Sequence, residues 1–339
     1  MKVYAGIDLH STNCYIGMVD ETGRRLTGCR VKNVLSQIID ILSEHGEALE
    51  GIAVESTYNW YWLVDGLMEH GWQVHLANPA AIQQYKGLKY AGDRHDAFWL
   101  ARMLQLGILP EGYIYPKETR SVRDLLRTRG TLVHKRTSLM TTLSNIITRN
   151  TGFTLKGGDI KVLRENRVTP LLSGDEYLRA SADGLKTIID ALSRRIREIE
   201  KVITGSIALD PAYENLLSIP GVGVVLGLTI VLETGPISRF PAVGDYVSYC
   251  RKVPSHYISN NKLKGRGNVK NGNRHLAWAF GQAADHARRH DGRVRAYYNR
   301  KKQGTNAAVA HATVAHKLAR AVYHMMNTGQ RFAPERAFS

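Results

Sequence analysis

Apolar positions in the first third of the chain alternate between strand-like and helix-like spacing. Runs of β-type residues predict strands over Val3–Ile7, over Cys14–Val19, around Leu26–Val31, over the buried stretch Gly51–Val54 and over Trp72–Ala77. Helical spacing predicts helices from Val34 to Glu44, from Tyr58 to Glu69 and from Pro79 onward. The resulting order, βββαβαβα, predicts an α/β domain with a mixed sheet.

The middle of the chain carries two long helical patterns that mix apolar and basic positions. They run over Pro116–Asn150 and Leu185–Val202, and the less regular segment Thr151–Ser173 joins them. This arrangement predicts an antiparallel or intermolecular coiled coil. A single arginine on such a helix is more often solvated than bound, but the group as a whole favours contact with nucleic acid or with a second protomer.

The last third is predicted to be mostly helical, with two stretches that suggest phosphate contact. Leu217–Gly223 precedes an apolar helix over Val224–Leu232, which is typical of a helix-hairpin-helix element and equally of a tight packing turn. Residues 257–274 combine five basic residues with three glycines, which predicts a loop that follows a phosphate backbone. Helices are predicted from Leu276 and over Ala307–Met326, and the tail after Gly329 is expected to be disordered.

The charge distribution separates the front of the chain from the rest. The formal net charge is +16, yet residues 1–110 carry nine Lys and Arg against twelve Asp and Glu, net −3. The remaining 229 residues carry 37 basic against 18 acidic side chains, net +19, which indicates nucleic-acid binding there. Three cysteines without metal-ligand spacing predict neither a disulfide framework nor a zinc site. No apolar run predicts a membrane span and no signal-peptide pattern opens the chain, so we expect a cytoplasmic, nucleoid-associated protein.

Four acidic residues stand where a mixed sheet would bring them together. Asp8 ends the first predicted strand and Glu55 the fourth, and neighbouring strands lie about 4.8 Å apart. Asp93 and Asp96 are three apart at the start of a helix, so they share one face, where they act either as helix-start residues or as ligands of a cation. Four carboxylates in one cleft require a divalent metal, and Mg²⁺ is the ion that such oxygen ligands suit.

This ordered set resembles the DEDD carboxylates of RuvC-like nuclease domains, which have a ribonuclease H-like fold. The motifs that match are Gly6-Ile7-Asp8-Leu9-His10, Val54-Glu55-Ser56-Thr57 and Asp93-Arg94-His95-Asp96-Ala97. More narrowly, the chain resembles the DEDD insertion-sequence transposases, which are RNA-guided serine recombinases. The resemblance covers nearly the whole chain and implies a RuvC-like domain over 1–112, a coiled-coil region over 113–205, a serine-bearing transposase domain over 206–330 and a tail over 331–339.

The resemblance also implies a mechanism and partners. Ser259 matches the family's nucleophilic serine, which lies just upstream of a Gly/Arg/Lys-rich loop, here Gly265-Arg266-Gly267. Asp8, Glu55, Asp93 and Asp96 are then expected to hold Mg²⁺, with Mn²⁺ as a substitute. Expected partners are donor and target DNA, an element-encoded guide RNA, and further copies of the chain in a dimer or tetramer. The basic residues expected to contact nucleic acid are Lys262, Lys264, Arg266, Lys270, Arg274, Arg288, Arg289 and Arg293.

Two other functions remain open at this point. A structure-selective nuclease such as a Holliday-junction resolvase would use metal-activated water and would not need Ser259. A noncatalytic nucleic-acid-binding assembly factor would use the acidic residues only structurally. This sequence departs from the family pattern directly after Ser259. It has Asn260-Asn261-Lys262, where members of the family often have small Gly or Ser residues, and the difference concerns the backbone geometry next to the serine.

Overall fold

A computed structural model describes residues 1–82, 92–162, 174–205, 211–254, 256–266 and 271–338. The chain divides into two compact units, which are described separately below. The first unit contains residues 1–117 and, of the segment 266–271, the described residues Arg266 and Asn271. The second contains residues 118–265 and 272–338.

The first unit is built on one five-stranded mixed sheet. Its strands are β1 (Val3–Leu9), β2 (Asn13–Asp20), β3 (Arg25–Lys32), β4 (Leu49–Glu55) and β5 (Val74–Ala77). They lie in the order β3-β2-β1-β4-β5; β1 pairs antiparallel with β2 and parallel with β4. The mixed α/β sheet domain and the order βββαβαβ are confirmed, with end points shifted by at most three residues. The helix predicted from Pro79 is present only as a 3₁₀ turn over Pro79–Ala81, and residues 83–91 lie outside the described residues.

Helices cover both faces of this sheet. They are α1 (Leu35–Ser43), α2 (Tyr61–Glu69) and α3 (Asp93–Gln105), and Pro79–Ala81 forms a short 3₁₀ turn. α1 and α2 pack on the face that carries Ile7 and Ile16, whereas α3 packs on the other face, against Val19 and Ala53. Because both faces are covered, β1, β2 and β4 are apolar nearly throughout, as strands buried on two sides must be.

A lane of glycines lets α3 approach the sheet closely. Gly6 pairs with Gly17 and Gly17 with Gly28, so the three lie side by side across β1, β2 and β3. A Cβ at Gly6 would overlap the carbonyl oxygen of Ala97, and at Gly17 and Gly28 it would press on Phe98 at 2.9 and 2.7 Å. The missing side chains therefore set how near the first turns of α3 come to the end of β1.

The second unit begins with two long helices that lie side by side. α4 (Lys117–Thr151) and α6 (Glu176–Gly205) flank the short α5 (Gly157–Val162). Arg129 bonds Glu200 near one end of the pair, while Leu143 and Ile147 pack with Ala182 near the other, so the helices are antiparallel. The second helix begins nine residues before the predicted Leu185, because the polar stretch before that residue still contributes Ala182 to the apolar seam.

The remaining helices of the second unit enclose a separate apolar core. They are α7 (Pro211–Leu216), α8 (Val224–Thr234), α9 (Val243–Tyr249), α10 (Arg274–His290), α11 (Gly292–Gly304), α12 (Ala307–Thr328) and α13 (Pro334–Ala337). The expectation of a disordered tail is wrong for the described residues. α13 begins at Pro334, and Phe338 is buried against Tyr297, so one aromatic side chain packs the described end of the chain on the core.

The predicted phosphate-tracking loop also needs correction. Residues His256–Ser259 and Lys262–Arg266 form the strands β6 and β7 of a two-stranded sheet. Asn260 and Asn261 form the turn with φ of 51° and 54°, and Asn is the residue after Gly that best tolerates this left-handed conformation. The departure from the family pattern at these two positions is therefore compatible with a tight two-residue hairpin.

Candidate active site

Asp8 and Glu55 lie at the carboxyl ends of two adjacent parallel strands. Their neighbours Ile7 and Val54 are register partners in β1 and β4, so both acids leave the sheet at the same edge. Asp8 is only 4% exposed and Glu55 is half-buried, and the two carboxyl groups are hydrogen-bonded to one another. The contact predicted from the strand ends is therefore present.

Asp93 reaches the same edge from α3. His10, directly after β1, places its Nε2 3.2 Å from Asp8 Oδ2 and 3.3 Å from Asp93 Oδ1. The other oxygen of Asp93 accepts a hydrogen bond from Arg30 of β3 at 2.5 Å. Asp8, His10 and Asp93 each offer one potential ligand atom, and these three atoms all lie within 4.8 Å of one another.

Asp96 lies one turn further along α3. Its carboxylate is 3.4 Å from His95 Nδ1, and its charge acts on both Asp8 and Glu55. Asp93 and Asp96 both occupy the first turn of α3, where the helix dipole also favours acids. Asp93 and Asp96 can thus stabilise the start of α3 and also lie near Asp8, because the glycine lane lets the start of α3 approach the end of β1.

The electrostatics of the site reflect crowding of like charges. Burial, followed by the hydrogen bond and charge of Asp8, raises the pKa of Glu55 to about 8. Burial is also the main cause that raises the pKa of Asp8. For Asp93, desolvation is outweighed by its backbone hydrogen bond and the charges of His10 and Arg30, so its pKa is lowered. Two neighbouring carboxyl groups of this kind share a proton or a cation instead of both remaining bare anions.

A divalent metal fits these residues by the chemistry of the donors. Hard oxygen ligands from several carboxylates suit Mg²⁺ or Mn²⁺, and the crowded carboxyl groups of the buried Asp8 and the half-buried Glu55 form the type of site that a cation stabilises. Apart from Asp8, His10 and Asp93, the described residues contain no other group of three potential metal ligands within reach of one ion.

Ser259 belongs to the second unit. It is the last residue of β6, directly before the Asn260–Asn261 turn, and its side chain is exposed. A hydroxyl at the tip of a short hairpin is accessible to a large substrate such as a nucleic-acid strand.

The basic residues predicted to contact nucleic acid fall into three groups. Lys262, Lys264 and Arg274 are exposed. Arg288 and Arg289 pair with Asp285 at 3.1 and 2.9 Å, and Arg293 pairs with Glu335 at 3.5 Å. The side chain of Arg266 and the whole of Lys270 lie outside the described residues.

Sequence reasoning missed His10 and Arg30. His10 follows Asp8 by two positions, the period at which strand residues share a face, and this spacing is the signal that could have identified it. Arg30 carried no such signal, because its proximity to Asp93 depends on strand pairing and on the placement of α3.

A second missed feature is a buried ionic network in the second unit. Glu233 of α8 is 2% exposed and accepts hydrogen bonds from Arg123 at 3.1 Å and from Arg127 at 2.6 and 2.8 Å. The amide of Asn273 adds a fourth at 2.8 Å. Although burial alone would raise it, these donors lower the pKa of Glu233 to about 2.

Comparison with known proteins gives two family matches. A family model for DEDD transposases of the IS110 type, described as "Transposase", matches residues 5–150. A second model, described as "Transposase IS116/IS110/IS902 family", matches residues 213–299. The first match contains all four acids and the second contains Ser259.

Curated relatives align over most of the chain. The IS117 mini-circle protein of Streptomyces coelicolor is 24% identical over 410 aligned residues, covering 100% of this chain and 97% of its own. "Transposase for insertion sequence element IS1328" from Yersinia enterocolitica is 21% identical, covering 97% and 98%. "Transposase for insertion sequence element IS1111A" from Coxiella burnetii is 23% identical, covering 78% and 73%. Among the described residues, no helix is long and apolar enough to cross a bilayer.

Proposed function

Since this chain belongs to the IS110/IS116 family of insertion-sequence transposases, we propose that it cleaves and rejoins DNA through a phosphoserine intermediate formed by Ser259. The observation that supports this most is the acidic cluster at one sheet edge, within a family whose members mobilise insertion sequences. Asp8 and Asp93 place ligand atoms within 4.8 Å of one another, and Glu55 and Asp96 act on Asp8 as close neighbours. Ser259 is proposed from the family resemblance and from its exposure.

The four acids are proposed to hold Mg²⁺, or Mn²⁺ in its place. Asp8 and Glu55 form the inner pair, Asp93 is oriented by His10 and Arg30, and Asp96 adds negative charge from the first turn of α3. When bound, the metal would supply neutralisation of the charge that develops on a scissile phosphate. The protein's own contribution is to fix the carboxylates on a rigid strand end.

The proposed covalent step is a substitution at phosphorus. The Ser259 Oγ attacks, the Oγ–P bond forms, and the P–O3′ bond breaks. The serine proton is lost to solvent or a nearby base, and the leaving O3′ takes up a proton. In the rejoining step a different 3′ hydroxyl attacks the phosphoserine and releases the serine, so no net hydrolysis occurs.

An element-encoded guide RNA and a multimeric assembly complete the proposal. Base pairing between RNA and DNA would select donor and target, which leaves the protein to bind backbones. The strongly basic latter two thirds of the chain is compatible with two nucleic-acid partners. Because the acids and Ser259 belong to separate units, the proposed reaction uses composite sites within a dimer or tetramer.

One observation favours a second candidate function. All four acids lie within residues 1–117, so a metal site there is complete without the second unit. A RuvC-like structure-selective nuclease that hydrolyses DNA with activated water would need only that unit for chemistry.

A strand-exchange assay with purified protein, guide RNA and DNA tests the proposal. We expect Ser259→Ala and Asp8→Asn each to abolish exchange, and wild-type protein to give an SDS-stable protein–DNA adduct that Ser259→Ala lacks. Ser238→Ala is the matched control, because Ser238 is another exposed serine of the second unit. Cleavage retained by Ser259→Ala but lost with Asp8→Asn would establish the nuclease instead.

A further inference from the structure

The second unit contains a pocket of about 470 Å³ between α4, α8 and α10. The residues of this basic pocket used below are Arg127, Arg129, Gly130, Lys135, Arg274 and Trp278. A volume of this size accommodates one ligand of nucleotide dimensions. Arg127, Gly130 and Lys135 line the pocket from α4.

Positive charge is in excess at this pocket. Four of its side chains are Lys or Arg, and its single carboxylate, Glu233, already accepts bonds from Arg123, Arg127 and Asn273. Arg127 is bonded to Glu233 and Arg129 to Glu200. Lys135 and Arg274 form no salt bridge among the described residues. Two of the four cations at the pocket therefore have no acid that balances them.

Arg274 adds to the imbalance by its place in α10. It is the first residue of that helix, after the Asn273 cap. The helix dipole disfavours a cation at this end and favours an anion. An arginine there interacts unfavourably with the helix dipole, and an anionic ligand in the pocket would offset that unfavourable interaction.

Gly130 has no structural reason to be glycine. It lies in the interior of α4, where glycine destabilises a helix relative to alanine, and a Cβ built on it meets no atom within 4 Å. It contrasts with Gly6, where neighbouring backbone excludes a side chain. An unoccupied volume next to a helical glycine in a basic pocket is suited to the close approach of a phosphate.

We propose that the basic pocket binds one nucleotide of a single-stranded nucleic acid. The phosphate lies against Gly130 between Arg129, Lys135 and Arg274, and the base packs on Trp278. A base can enter such a pocket only after leaving a helical stack, which favours a single strand over a duplex. This inference rests on the proposed function only in taking nucleic acid as the partner.

The test measures binding of labelled single-stranded RNA and DNA octamers to the full-length protein by fluorescence anisotropy, in EDTA. Gly130→Leu should raise the melting temperature, because leucine favours the helix, yet weaken binding about tenfold or more by filling the pocket. Gly184→Leu is the matched control, since Gly184 lies inside α6 with open space around it and should change only stability.

Two further variants test the chemistry of the ligand. Lys135→Ala should weaken binding about tenfold and reduce the slope of log affinity against log salt by about one, as the loss of one phosphate contact does. Lys201→Ala, an exposed lysine on α6, should leave the slope nearly unchanged. Trp278→Leu should weaken binding without changing the slope.

The outcomes separate this inference from the proposed function. Equal affinities for Gly130→Leu, Gly184→Leu and wild type would overturn it, and so would equal losses for both leucine variants. Loss of strand exchange in Ser259→Ala with pocket-dependent binding intact is expected, because the two sites are independent. If wild-type protein bound octamers through the pocket but never exchanged strands, only the proposed function would fail. The ratio of RNA to DNA affinity identifies which strand occupies the pocket.

Discussion

Asn273 donates a hydrogen bond from its amide to Glu233 Oε2 at 2.8 Å, while its Oδ1 accepts from the backbone N–H groups of His275 and Leu276. Asn273 therefore caps α10 and also donates a hydrogen bond to the buried carboxylate of Glu233 on α8. Arg123 and Arg127 hold that carboxylate from α4, so three helices of the second unit meet at Glu233.

Replacement of Asn273 should destabilise the second unit more than loss of an ordinary cap. Asn273→Ala removes the cap, which costs about 1 kcal/mol, and also a hydrogen bond to a buried charge, which adds about 1.5–3 kcal/mol. Asn306 caps α12 through the N–H of Val309 alone, so Asn306→Ala should cost only the smaller amount. Denaturant unfolding of both variants measures the difference, and equal losses would show that the Glu233 bond contributes nothing.

Stability of the second unit should fall in two steps as pH is lowered. Burial lowers the pKa of His275 from 6.5 to about 4, so between these values the unfolded chain binds a proton that the folded chain does not. Glu233 behaves likewise between 4.5 and about 2. In both pH windows the unfolded state binds more protons than the folded state. Each group therefore stabilises the folded state above its window, and this contribution, up to about 3 kcal/mol per group, is lost as the pH falls through the window.

Substitutions assign each step. In plots of unfolding free energy against pH, His275→Gln should reduce the slope in the upper window. Glu233→Gln should reduce the slope in the lower window. His324→Gln, at an exposed position, serves as the control for the loss of a histidine. An upper window unchanged in His275→Gln would mean that another group titrates there.

The glycine lane should be intolerant of any side chain. Gly6→Ala places a methyl group where the Ala97 carbonyl oxygen lies, so α3 must move away from β1. We expect a loss of about 3 kcal/mol or more in unfolding free energy, and loss of strand exchange because Asp93 and Asp96 shift with the helix. Gly46→Ala, where a Cβ meets no atom within 4 Å, should change stability by less than about 0.5 kcal/mol. Normal activity in Gly6→Ala would disprove the role of the lane.

Asp8→Asn should separate stability from activity. Burial is the main cause that raises the pKa of Asp8, so its charged form is unfavourable in the folded state. Asp8→Asn removes that charge, and the variant should melt at a higher temperature than wild type in EDTA. Adding Mg²⁺ should raise the melting temperature of wild type by mass action but not that of Asp8→Asn. The exposed Asp40→Asn variant controls for charge loss, and an equal Mg²⁺ response in all three proteins would exclude Asp8 as a ligand.

The sequence by itself determined the order of elements and the positions of the four acids. Periods of 2 and 3.6 residues follow from strand and helix geometry, so β1 to β5, α4 and the strand ends at Asp8 and Glu55 were predictable from local pattern. The sequence also shows Gly6, Gly17 and Gly28 at intervals of eleven residues, but this spacing does not reveal that the three lie side by side. The hairpin at Asn260–Asn261 was missed because a polar, basic stretch has no hydrophobic alternation to mark its strands.

Only the tertiary structure decided which distant residues meet. Glu233 lies within an apolar helix and more than a hundred positions from Arg123, and nothing in either local pattern pairs them. Arg30 meets Asp93, and the glycines form a lane, only through strand register and the docking of α3. Local conformation is set by steric preferences within a few residues, whereas such contacts depend on chain closure and on mutual packing of several elements.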